Sequence, residues 1–333
     1  MPDTGNVMFS RVRLARNYRD IPFNTGENRE MAEQVISRTL NAMAMSDMRD
    51  RFDFLRIREL PEPQRRYYEE ANRVTKDLLA HPESGAALVD YAENVSILMN
   101  EEDHLRILSV MPGMQLMDAA DRCFRADDIL SMHTEIAFDD QLGYLTACPT
   151  NAGTGLRASL TMHLPMIALY KQMGNVSQTV AKLGLRIRGV YGEGSEALGA
   201  MYQISNQATL GRTEEEILHT VLTVGHQLTD MEGKLREKSL DGNRIQIEDA
   251  VQRAVGILTH ARILKMDEFY KYWSNLRLGI ACGMIPLHTD EVDRMLIQVQ
   301  DAHLESCVQR EISENEKNVL RARRVRELMH FAP

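Results

Sequence analysis

From Leu156 to Leu164 every second residue is apolar. Leu156, Ala158, Leu160, Met162 and Leu164 alternate with Arg157, Ser159, Thr161 and His163. A period of two is the period of a β-strand, whose successive side chains point to opposite faces. One face of this strand therefore covers a core, and the other carries polar groups headed by a guanidinium. Shorter runs repeat the pattern. Val12 and Leu14 alternate with Arg11 and Arg13, Leu55 and Ile57 with Arg56 and Arg58, and Leu185 and Ile187 with Arg186 and Arg188. The chain must build a sheet that is apolar behind and sets arginines in front. Guanidinium is planar, permanently charged and offers paired donors, which suits phosphate oxygens. Such a sheet could hold a triphosphate without a phosphate-binding glycine loop.

Helical stretches lie between these strands, at 29–45 and 114–133. After residue 212 the pattern is helical to the end. Thr213 with Glu216 forms a capping box. Ile217, Val221, Val224, Leu228, Met231 and Leu235 follow at spacings of three and four. Further helices are expected over 246–265, 267–281 and 289–304, and Ser313 with Glu316 opens a last one. The reading is an α+β domain over 1–225, its sheet mainly antiparallel and flanked by helices, and an all-helical C-terminal domain over 226–333. The sheet is read as antiparallel because regular strand–helix alternation is missing.

Composition narrows the function. With 333 residues, 44% of them hydrophobic, the chain can bury a large core, and its net charge of −9 disfavours general nucleic-acid binding. No apolar run reaches membrane-spanning length. Met1–Phe9 lacks a basic segment followed by an apolar one, so no secretory signal is expected. The four cysteines, Cys123, Cys148, Cys282 and Cys307, are far apart and suggest neither a zinc site nor a disulfide framework. A reducing cytoplasm is the expected setting.

Two acidic segments stand out. Asn100–Arg106 follows the apolar run Val95–Met99, and Tyr191–Glu196 is set with glycines. A solvated loop is the plain reading of each. Beside an arginine-lined sheet a second reading opens: carboxylates there can hold a cationic substrate. A guanidinium has a pKa above ~12 and attacks phosphorus only after losing a proton, so one carboxylate would orient it and another would take the proton. The stretch from Gly192 through Gly194 to Ala197 matches a dinucleotide-binding glycine pattern. The segment after it, 201–210, reads as a strand where that pattern needs a helix. No P-loop and no ordinary protein-kinase catalytic loop is present. The basic run Arg321, Arg323, Arg324 and Arg326 reads as a solvated helix face.

Four motifs together resemble the guanidino (phosphagen) kinases. They are Ser10–Arg13 (SRVR), Asn100–Ile107 (NEEDHLRI), Cys148–Ser159 (CPTNAGTGLRAS) and Arg188–Gly199 (RGVYGEGSEALG). The wording of the last two is similar to the bacterial protein-arginine kinases. The chain begins almost at SRVR. The resemblance therefore implies a kinase without the N-terminal helical domain that small-molecule phosphagen kinases place over their substrate, and with a C-terminal helical domain instead. The resemblance implies a glutamine-synthetase-like catalytic fold and transfer of the ATP γ-phosphate to arginine side chains of proteins. It implies Glu102 as the orienting carboxylate and base, Glu193 as its partner and Cys148 as a tuning group. Arg11, Arg13, Arg106, Arg157 and Arg188 would clamp the ATP phosphates. Ser10, Val12, Ala158, Ser159 and Gly189 fall within the matching nucleotide motifs. Mg2+ would arrive with ATP, held by phosphate and water, with no metal ligands from the protein. Implied partners are a zinc-binding activator protein, a Clp-type unfoldase-protease, a repressor of stress genes and a second copy of the chain, paired through the helical domain.

Two positions depart from the family. Asn72 stands where a nucleotide-site histidine is usual. Lys317–Ala322 keeps only Arg321 and Ala322 of a phosphoarginine-reading motif, so that regulatory site is not carried over. A kinase of free guanidino metabolites, and a non-catalytic adaptor using the helical domain, are the rival readings.

Overall fold

Val12 and Leu14 are wholly buried while Arg11 and Arg13 are partly open, so the alternation in sequence is the alternation of a strand. The computed structural model describes residues 5–23, 28–190, 197–308 and 310–329. In chain order the elements are β1 (Val7–Arg16), α1 (Arg29–Ala44), β2 (Asp53–Arg56), α2 (Glu62–Glu70) and α3 (Lys76–Leu79). Then come β3 (Ala86–Asp90), β4 (Val95–Met99), β5 (Leu105–Pro112), α4 (Leu116–His133) and a short ribbon of β6 (Phe138–Asp139) and β7 (Gly143–Tyr144). They are followed by β8 (Leu156–His163), α5 (Pro165–Leu169), α6 (Met173–Lys182), β9 (Leu185–Gly189) and β10 (Met201–Asn206). Five helices close the chain: α7 (Glu214–His260), α8 (Met266–Ala281), α9 (Thr289–Gln298), α10 (Asp301–Val308) and α11 (Glu314–Met329).

Eight strands form one sheet in the order β2-β3-β4-β5-β1-β8-β10-β9, and every pairing is antiparallel. One face buries Leu14, Ile107, Leu156, Leu160 and Ile204 under α1, α4 and the first half of α7. Among the described residues the other face is covered only at its margins. Ile57, Leu78, Val89 and Leu98 form a small cluster under α2 and α3 at one side. Met8 and Met201 join the C-terminal helices at another, in a cluster centred on Trp273. Polar side chains are left between. Among the described residues no helix is long and apolar enough to cross a membrane.

The helical half differs from the sequence expectation in three ways. First, Glu214–His260 is one helix with a break in dihedral angles at Asn243 (φ −137°, ψ 33°). Its early stripe, Ile217, Val221, Val224 and Leu228, packs into the sheet core, whereas Val251 and Leu258 pack with the C-terminal helices. The change of partner therefore falls near Asn243, and residue 225 lies within continuous helix. The stripe is buried inside this chain. Second, the helix expected over 289–304 divides into α9 and α10. Third, Arg321 is not on a solvated face. It is 1% exposed and donates to the carbonyls of Val299 and Leu264 (both 3.1 Å), to Asn318 Oδ1 (2.7 Å) and to Asp301 (2.6 Å). Lys317 pairs with Asp301 and Glu305 (3.2 and 3.3 Å), so this stretch is taken up by internal contacts.

Glu232 locks α7 to α5, the helix that follows β8. Its buried carboxylate accepts the backbone N–H of Met166 (2.7 Å) and Ile167 (2.9 Å) at the start of α5. Burial is the larger influence and raises its pKa to about 7. The folded state thus holds a proton that the unfolded chain releases near pH 4.5, so this contribution to stability is present at low pH and lost as pH rises through about 7. We expect Glu232→Gln to remove a downward component of the melting temperature between about pH 4.5 and 7, read as a difference from wild type because buried histidines such as His163, lowered by burial, act in the opposite direction. Identical slopes for both proteins in calorimetric scans would refute the assignment.

Candidate active site

Residues opposite one another in an antiparallel pair share a face. Arg13 stands opposite Arg157, and Arg11 opposite Ser159. Ser159 stands opposite Ser205, and Ser205 opposite Arg186. Gln203 links Thr161 on one side with Arg188 on the other. Register alone therefore brings Arg11, Arg13, Arg157, Arg186 and Arg188 onto one floor. Among the described residues none of the five has a carboxylate within ion-pair distance. Arg157 reaches Ser205 Oγ (3.4 Å), and Arg188 donates twice to Gln203 Oε1 (3.1 and 2.8 Å).

Like charges directly opposite in a sheet are unfavourable. The consequence shows in the titration of the floor. Burial, then Arg13, Arg188 and Arg157, draw Arg11 down to about 10. Arg157 is lowered by burial and by Arg13 and Arg188. Arg13 is lowered chiefly by burial, with Glu102 and Asp103 opposing. An arrangement that repels itself when empty is stabilised by a polyanion.

The acidic turn between β4 and β5 forms the rim. Asn100 turns the chain with a left-handed backbone (φ 61°), and its side-chain amide donates to the carbonyls of Ala32 and Ser84 (both 3.0 Å). Glu101 is buried, with Arg106 and Thr75 as partners. Glu102 points outward, its side chain 44% exposed, and accepts from Arg106 (3.2 Å) and Asn151 (3.3 Å). Asp103 accepts from Asn17 Nδ2 and from the backbone N–H of Ala147, both at 2.7 Å. That last bond ties the acidic turn to the loop carrying Cys148, whose Sγ lies 3.0 Å from Thr150 Oγ1. Thr209 Oγ1 holds the same loop at the carbonyls of Thr150 (3.0 Å) and Ala152 (2.6 Å). Gly153, with φ +101°, lets the loop pass against the backbone of Thr209 and Leu210, where a Cβ has no room.

Three cavities open on this surface. One of about 560 Å³ lies against Asp77, Glu101, Glu102 and Ala147. One of about 400 Å³ is lined by Asn151, Arg157 and Arg186. One of about 490 Å³ is lined by Arg11, Asn72, Arg186, Arg188 and Gly189, with apolar side chains beyond. The acidic and cationic regions meet through Arg106, which burial and then Arg13 lower to about 9, with Asp77 opposing.

Most of the expected side chains converge here, and some do not. Glu102, Cys148, Arg11, Arg13, Arg106, Arg157, Ser159, Arg188, Gly189 and Asn72 all border the floor, the rim or the cavities. Ser10, Val12 and Ala158 face the other way, because they are the alternate residues of β1 and β8. Ser10 is wholly buried, donating to Gly113 O (2.7 Å) and accepting from Gln115 N (2.9 Å). Glu193 lies outside the described residues. Three neighbours were not assigned to the site from sequence. Arg186 sits two residues before Arg188, so its face was readable. Asn151 lies within the cysteine loop. Asp77, 3.7 Å from Arg106, carried no signal.

Comparison with known proteins identifies the fold and the family. A family model described as the ATP:guanido phosphotransferase C-terminal catalytic domain matches residues 31–235. A second, for the protein-arginine kinase McsB C-terminal domain, matches 244–333, and Asn243 falls in the gap between them. A protein-arginine kinase of Caldanaerobacter subterraneus is 39% identical, covering 96% of each chain. That of a Geobacillus species is 40% identical, over 98% of this chain and 91% of its own. Among solved structures, a lombricine kinase superposes with a TM-score of 0.63 at 25% identity, covering 72% of this chain and 70% of its own. Both family models and relatives at 39–40% identity over nearly the whole chain point the same way: the chain belongs to the ATP:guanido phosphotransferase family and, within it, to the protein-arginine kinases.

Proposed function

We propose that the protein transfers the γ-phosphate of ATP to arginine side chains of other proteins. The observation that carries this reading is the outward carboxylate of Glu102 beside a floor of guanidinium groups that have no carboxylate partner among the described residues. The floor suits the triphosphate, since its cations already repel one another and gain most from an anion. Magnesium supplies charge neutralisation of the phosphates and is carried in with the nucleotide.

The chemistry asked of the residues is short. An incoming guanidinium, cationic in water, is gripped by Glu102 with Glu193 as its partner. Loss of one proton to Glu102 frees a nitrogen lone pair. The N–P bond forms as the bond from the γ-phosphorus to the bridging oxygen breaks, and that oxygen leaves with ADP. Arg11, Arg13, Arg157 and Arg188 hold the charge spread over the transferring group. Cys148, kept at the rim by its loop, tunes the guanidinium without covalent attachment. Marking of proteins for a Clp-type protease in a stress response, a zinc-binding activator, pairing with a second copy and a cytoplasmic setting belong to the same proposal. Transfer to a free guanidino metabolite is the competing reading, and a faster reaction with free arginine than with protein would favour it.

Three measurements test the reading. Incubation with magnesium, ATP and an arginine-rich protein should give acid-labile phosphate on arginine, located by mass spectrometry. Glu102→Gln should lower transfer by about a hundredfold or more and leave ADP affinity near the wild-type value. Absence of transfer to any guanidino compound would end the proposal. Asp103→Ala should free the loop at Ala147 and lower kcat about tenfold, because the rim loses alignment while the floor is intact. A weakened ADP affinity with unchanged kcat would contradict that division of labour.

A further inference from the structure

The cavity of about 490 Å³ has two unlike ends. Arg11 and Arg186 stand level across the sheet at one, Arg188 and Phe9 share the next row, and Val190 and Met201 lie level beyond them at the other, where Met8 and Leu296 complete the hydrocarbon lining. A nucleoside triphosphate has the same polarity, with a flat, weakly polar base and an anionic tail. Leu296 differs from the rest of the lining in origin. It belongs to α9, and with Met8 and Met201 it is part of the buried cluster around Trp273 and Val292. The base end of the cavity is therefore built on the core of the C-terminal helices.

A second wall leads to the same helices by a separate route. Asn72 lines the cavity with a left-handed backbone (φ 57°), immediately beyond the end of α2. Helix α2 is fastened to α10. The carboxylate of Glu70 accepts the backbone N–H of Ala302 and His303, both at 2.9 Å. Arg66 pairs with the buried Glu305 at 2.8 Å, and Tyr67 stacks on His303 at 5.2 Å between ring centres.

We infer that the nucleotide site is composite: Leu296 of α9 closes it against the base, and the C-terminal helices thereby set nucleotide affinity. This rests on the reading of the arginine floor as a triphosphate cradle. The floor binds the tail of the nucleotide and the helices bind its base, so the two contributions separate when the base is removed from the ligand.

The test titrates the full chain with magnesium-ADP and with magnesium-tripolyphosphate by calorimetry. Leu296→Ala should weaken ADP about tenfold, the scale of a lost apolar contact in a pocket, and leave tripolyphosphate unchanged. Val292→Ala removes carbon from the same buried cluster without touching the cavity. It should lower the melting temperature and keep wild-type ADP affinity. Backbone hydrogen exchange in α9 should slow with ADP and not with tripolyphosphate. Equal ADP affinity in wild type and Leu296→Ala would overturn the inference, as would parallel weakening of both ligands, which marks a structural role. Wild-type protein that binds neither ligand would overturn the cradle itself, a result distinguishable from the other two.

Discussion

Arg13 and Arg157 face each other across an antiparallel pair with no carboxylate between them among the described residues. Much of the active surface follows from that juxtaposition. A folding chain gains nothing by placing like charges in register, and it costs more when both are partly buried. The cost is met by the reverse face of the same strands, where Val12, Leu14, Leu156 and Ala158 are wholly buried. The apolar face holds the cations at fixed spacing, so an anion finds donors already placed and the ordering of long side chains is largely spared.

The chain uses arginine in two distinct ways, and partners tell them apart. Arg16 is 1% exposed and donates to both oxygens of Asp127, with the Tyr144 ring 3.4 Å from its guanidinium carbon. Arg277 does the same with Asp293. Arg321 fills its valences with carbonyls, Asn318 and Asp301. These are fasteners, satisfied within the fold. The five arginines of the floor lack any such carboxylate among the described residues. Residue type does not separate the groups. Arg13 and Arg16 are close neighbours on one strand, but three positions apart, so they project from opposite faces, and only the face of Arg16 meets α4.

Legibility from sequence divides along the same line. Period-two alternation located β1, β8 and β9 and the face of each arginine, because a strand converts sequence parity directly into direction. It could not say that the three strands are neighbours, which is a matter of sheet order. It also does not explain the inclusion of Ser10, Val12 and Ala158 among the site residues. A matching motif is continuous in sequence, whereas a strand shows a ligand only alternate side chains. Asp77 and Leu296 were invisible for another reason. Each belongs to a helix whose place over the sheet is fixed by tertiary packing, and neither carries a local pattern pointing to a site. The helical half was read well in kind and less well in extent, since a helix of 47 residues broken at Asn243 leaves the same periodicity as two.

The rim explains why the cations and the acids do not simply collapse onto each other. Glu101 and Glu102 are adjacent, yet one is buried and the other is open. Arg106 takes both, closing on Glu101 from within and holding Glu102 at 3.2 Å from the side. Asn151 holds the same oxygen of Glu102 from the cysteine loop. Held there, the carboxylate pairs with Arg106 and Asn151 and not with Arg13, and the cationic floor keeps its appetite for phosphate. An entering guanidinium need compete only for the outward side of that carboxylate. Separation of charge, maintained by Arg106 and by the bond from Ala147 to Asp103, is what allows one surface to receive a polyanion and a cation at adjoining places.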